Sequence, residues 1–204
     1  MAEGPSRTTG KPIVPEEFLA PADHLRAIGV IALAFTALER ELEDLFGTYA
    51  TLPLEARSRL FAKLSKELRV EVLQNCIDAS EHPEDLKEAV RYFLRGFHTC
   101  FENRNIVMHA ESFALFEDGT LVLAKATRSI PTQKVPLVAS VAALRATGEA
   151  ILSFVSYGHA LNFYLSWNYG PLSEMRRGSG IADTLPSRPD LPSLLMSKDR
   201  PPRT

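Results

Sequence analysis

Arg104, Asn105 and His109 stand as Arg-Asn-Ile-Val-Met-His near the middle of the chain. Each residue type brings a distinct capability. A guanidinium offers two parallel donors to a phosphate, and histidine is the side chain that exchanges protons near neutral pH. An amide one helical turn before the histidine can orient its ring or hold a phosphate oxygen. Together they can pair proton transfer at His109 with stabilisation of negative charge at Arg104.

A long helix must carry these groups. On it, Arg91, His98, Glu102, Asn105 and His109 form one stripe, each three, four or seven residues from another. Val90, Phe93, Phe97 and Met108 form an adjacent apolar face, and Arg104 lands among them. A buried guanidinium needs a partner, because an unpaired one is costly. Glu39 is the expected partner, since it interrupts the apolar stripe Ile28, Ala32, Phe35, Leu42 and Phe46 of an earlier helix. Arg91, Arg95, His98 and Glu102 either extend a nucleic-acid groove or make a salt-bridged, solvated helix face.

The 204 residues suffice for one domain with a core, or for a domain plus tails. A net charge of -2 gives no global basic signal, so a polyanion must be met by a local patch or by an oligomer. Cys76 and Cys100 make no CxxC pair and read as free thiols in a reducing cytoplasm. The five histidines lack HxxxH or HExxH spacing, so neither a metal nor a cofactor is expected. Residues 27–38 are the most apolar run, about a dozen residues against the roughly 20 that a bilayer requires. That run leads into Glu39-Arg40-Glu41, so a buried helix is expected and a membrane span is not.

The order of elements follows from periodicity. Residues 1–22, with Pro5, Pro12, Pro15 and Pro21, read as an arm. A first helix opens near Asp23 and ends near Gly47, and a second runs from Leu54 to about Ile77. A third follows His82-Pro83 and closes near His109. The period then drops to two over residues 112–127 around Asp118-Gly119, which predicts a β-hairpin. Pro131 and Pro136 bracket a loop, and the last helix covers Val138 to Trp167. Residues 169–204 are proline-rich and read as a tail, with Leu191–Met196 a docking patch. The expected fold is all-α: an antiparallel four-helix bundle over residues 23–168, with one hairpin after the third helix.

With those residues in place, the chain resembles the HEPN superfamily of helical bundles found in bacterial defence, toxin–antitoxin systems and RNA processing. The resemblance rests on Arg104-Asn105-x-x-x-His109, on its position near the end of a helix, and on the surrounding bundle. It implies metal-independent cleavage of RNA: a ribose 2′-OH attacks the adjacent phosphate and leaves a cyclic phosphate and a free 5′-OH. It further implies a homodimer paired through the motif helices, and a partner such as an antitoxin or another defence component. Glu111 stands where some members carry a tyrosine that accepts a nucleotide, so regulation by that route is not expected. The competing expectation is a non-catalytic HEPN-like scaffold that binds nucleotide, RNA or a protein partner in the same cleft.

Overall fold

The computed structural model describes residues 22–110, 112–115, 121–126, 134–170, 172–175 and 184–195. Five helices form the body: α1 (Ala22–Tyr49), α2 (Leu54–Lys63), α3 (Lys66–Ala79), α4 (Glu84–Met108) and α5 (Val141–Asn168). Between α4 and α5 lie three short strands, β1 (Ser112–Leu115), β2 (Leu121–Ala126) and β3 (Lys134–Ala139).

This arrangement corrects the expected four-helix bundle with a single hairpin. The second helix is two helices, because the chain turns at Leu64-Ser65. Leu64 has extended backbone (ψ 140°), and Ser65 caps α3 by accepting from the Leu68 amide. Leu60, Leu64 and Leu68 keep a helical spacing across the turn, and that hides it. Replacing Ser65 with alanine removes the cap and is expected to lower stability by about 1 kcal/mol. A shift in the urea midpoint at unchanged slope checks this.

The predicted hairpin is replaced by a three-stranded antiparallel sheet in the order β1-β2-β3. Pro136, expected in a loop, pairs with Ala124 within β3. An edge strand tolerates a residue that cannot donate to a ladder. The expected Asp118-Gly119 turn lies outside the described residues, as does the N-terminal arm. Ser140 then caps α5, so that helix begins three residues later than its apolar pattern suggests.

In the core, Ile31, Phe35, Leu38, Leu42, Leu45 and Phe46 of α1 meet Phe93, Phe97 and Cys100 of α4 and Ile151, Phe154, Leu161 and Leu165 of α5, and Ala139 of β3 joins them. Contacts between α1 and α5 are the most extensive. The two run parallel: Val30 lies near Gly148, and Glu41 packs on Gly158 and bonds Asn162. α4 runs against them, with the Tyr157 hydroxyl donating to the Ala89 carbonyl. Gly96 lets α4 and α5 approach closely, since a Cβ there would fall 1.8 Å from the Phe154 ring. Burial pushes the Cys100 thiol up to about 12, which leaves it an inert core side chain.

Candidate phosphate-binding site at the end of α4

The last turn of α4 closes at His109, whose amide donates to the Asn105 carbonyl as the helix ends. That ending brings the three motif side chains together. Arg104 Nη1 donates to Asn105 Oδ1 at 3.1 Å and lies 3.2 Å from His109 Nε2. With the ring proton on Nδ1, the guanidinium donates to Nε2 as well. His109 is exposed, while Arg104 and Asn105 are half-buried. The Arg104 guanidinium lies 6.0 Å from the Phe35 ring, at the outer limit of a cation–π contact.

Glu39 does not hold Arg104. Its carboxylate accepts from Arg69 of α3 at 3.3 Å. The turn between α2 and α3 delivers Arg69 to that position, and a single straight helix would not. Among the described residues Arg104 has no carboxylate partner. Its described polar neighbours are an amide and an imidazole. A guanidinium can meet an oxyanion through two parallel donors.

The remaining stripe residues face α3. Arg91 bonds Asp78 at 2.6 Å and also Glu84; this holds the Asp78 carboxyl below the usual carboxylate range. Lys66 lies over the Phe101 ring, bonds Glu102 at 3.3 Å and stands 3.5 Å from His98 Nδ1. Arg95 is exposed and pairs with Glu88. The structure therefore gathers Arg104, Asn105 and His109 and leaves Arg91, Arg95, His98 and Glu102 in a latch between helices and along the flank of α4. Periodicity located the stripe; it carried no information on which neighbouring helix would cover it.

Two further features were not anticipated. A cleft of about 490 Å³ opens between α1, α2 and α3, and its charges neutralise one another: Arg57 meets Asp44 and Glu43, and Arg69 meets Glu39. Residues 184–195 of the tail, expected to be linker-like or to reach a neighbour, lie along α4 of their own chain. A signal was present in Pro186, Pro189 and Pro192, spaced by three between Leu185 and Leu195. Among the described residues no three His, Cys, Asp or Glu side chains converge as a metal set would. No described helix is long and apolar enough to cross a membrane.

No family model matches the sequence, and no curated protein or solved structure is significantly similar to it.

Proposed function

We propose that this chain is a metal-independent endoribonuclease of the HEPN kind, acting as a cytoplasmic homodimer in bacterial defence or a toxin–antitoxin pair. One observation carries the reading: Arg104, Asn105 and His109 meet at an accessible helix end, and the arginine has no acid to neutralise it among the described residues. A purely structural arginine would be expected to sit on Glu39, four residues from Phe35 in the same core.

In the proposed reaction the phosphodiester takes the Nε–Nη2 edge of the Arg104 guanidinium, which draws Nη1 away from His109. The released ring nitrogen accepts the ribose 2′-OH proton as the 2′-oxygen bonds to phosphorus. The P–O5′ bond breaks, and the 5′-oxygen leaves with a proton from His109 of the partner subunit. Asn105 keeps Arg104 oriented through its Oδ1. Pairing of two α4 ends would double the local positive charge, which a chain of net charge -2 otherwise lacks.

The test is RNA cleavage in excess chelator, with the products analysed for 2′,3′-cyclic phosphate ends. Arg104→Lys keeps the charge but loses the fork, and a loss of about 10²-fold in rate is expected for one misplaced transition-state donor. Cleavage that needs added metal, or that is unaffected by Arg104→Lys, would overturn the proposal. The alternative, a non-catalytic scaffold, draws on the ion pairs that already occupy Arg91, Glu102 and Arg95. It predicts RNA or protein binding with no cyclic-phosphate product.

A further inference from the structure

Two side chains of α4 bind the main chain of residues 184–195. Asn103, 1% exposed, donates from Nδ2 to the Ser193 carbonyl at 2.9 Å and accepts at Oδ1 from the Leu195 amide at 2.8 Å. About three turns earlier on the same face of α4, the Tyr92 hydroxyl donates to the Pro189 carbonyl at 2.6 Å. Leu185 and Leu195 pack on the core. Thr184 and Pro186 line a recess of about 170 Å³ with Phe163, Tyr164 and Trp167 of α5. The Arg188 guanidinium lies 5.1 Å from the Tyr92 ring and acts electrostatically on Glu88.

These contacts follow the physics of peptide recognition. A buried amide left unpaired costs about 1–3 kcal/mol, so an asparagine in this wall is explained only by an extended backbone passing across it. A leucine would pack the helices without that requirement. Bonds to main-chain groups supply affinity whatever the sequence, while the apolar and basic anchors supply selectivity. Proline at every third position suits a polyproline II segment, which has three residues per turn and is ordered before it docks.

Every copy of the chain carries both the groove and its ligand, so a segment from a second copy makes the same contacts. The tether decides between them. Eight residues, 176–183, join Met175 to Thr184, and so short a tether sets an effective concentration on the order of millimolar for the segment of the same chain.

We propose that the groove on α4 and α5 is a peptide-recognition site for an extended Arg-Pro-x-x-Pro-x-x-Leu segment, filled in cis by residues 188–195 and in trans by the same segment of a second copy when copies are held close together. The proposal is independent of RNA cleavage, and a chain without nuclease activity leaves it standing.

The probe is a fluorescent peptide of residues 184–195, read by anisotropy against full-length chains. The double variant Leu185→Asp/Leu195→Asp weakens the resident segment and keeps the groove. It is expected to bind the probe at least about tenfold tighter than the unaltered chain, in which the tethered copy competes. Adding Asn103→Ala should abolish binding; adding Tyr92→Phe, which removes one hydroxyl, should weaken it by roughly five- to tenfold. An unlabelled Asn103→Ala chain, whose own segment is intact, should displace the probe and so show that a second copy supplies the ligand. If the double variant does not fold, a protease site within 176–183, cut after folding, leaves groove and segment intact but separable. The cut fragment should then stay bound and exchange with the probe. No probe binding by a folded chain with its groove open, or no displacement by the second copy, overturns the proposal.

Discussion

His109→Ala is expected to reduce metal-free RNA cleavage by about 10²–10⁴-fold, the range for loss of a general acid or base. The imidazole is exposed at the C-cap of α4, and among the described residues its side-chain hydrogen-bond contact is with Arg104. Removing it should change stability by no more than about 0.5 kcal/mol, as for an ordinary surface substitution. Activity and fold are therefore separable at this position. Thermal unfolding and circular dichroism should match the unaltered chain, while cyclic-phosphate product falls. Undiminished product would remove His109 from the reaction and, with it, the ribonuclease reading. In a working homodimer, mixing His109→Ala with Arg104→Lys chains offers a further comparison, since each dimer end would then lack a different group.

The largest effect on stability is expected at Phe97. It is fully buried on α4, with its ring centroid 5.6 Å from Phe35 of α1 and 6.4 Å from Phe93. Phe97→Ala removes a side chain that joins α1 to α4 and leaves a cavity that rigid helices cannot close. Such changes cost about 3–5 kcal/mol. For a chain of this size each kcal/mol moves the unfolding midpoint by about 2–4 °C, so calorimetry should show a drop of about 6–20 °C. A drop of only a degree or two would mean that the α1–α4 seam repacks, contrary to the close aromatic contacts described here. Because Arg104 lies over Phe35, the same variant should also lower cleavage, unlike an equally destabilising change at the far end of the bundle.

The sequence carried the helices that own a continuous apolar stripe. α1, α4 and α5 begin or end within about three residues of the positions that periodicity and capping suggested, and α4 closes at the histidine that marks its end. The break at Leu64-Ser65 was hidden because the apolar spacing runs through it, and one serine cap outweighed a pattern that favours continuation. The two-strand expectation failed because Pro136 reads as a loop residue, yet proline is admissible on the edge that β3 provides. For the candidate site, local spacing sufficed to group Arg104, Asn105 and His109, which share one helical turn and its cap. The partner of Glu39 was not legible, because it depends on where α3 returns after the turn, and no local pattern encodes that. The role of Asn103 was likewise hidden: its ligand lies ninety residues away and exists only as backbone.

The parallel packing of α1 on α5 has a consequence for synthesis. Of the described helices, the one made first shares its largest contact surface with the one made last, some 120 residues downstream. At translation speeds of about 5–20 residues per second, that interval lasts about 6–25 s. Throughout it, Ile31, Leu38 and Leu45 await part of their final cover while the nascent chain lengthens. A ribosome pausing between α4 and α5 would lengthen that exposure, and holding factors at the exit tunnel would find their binding site in α1.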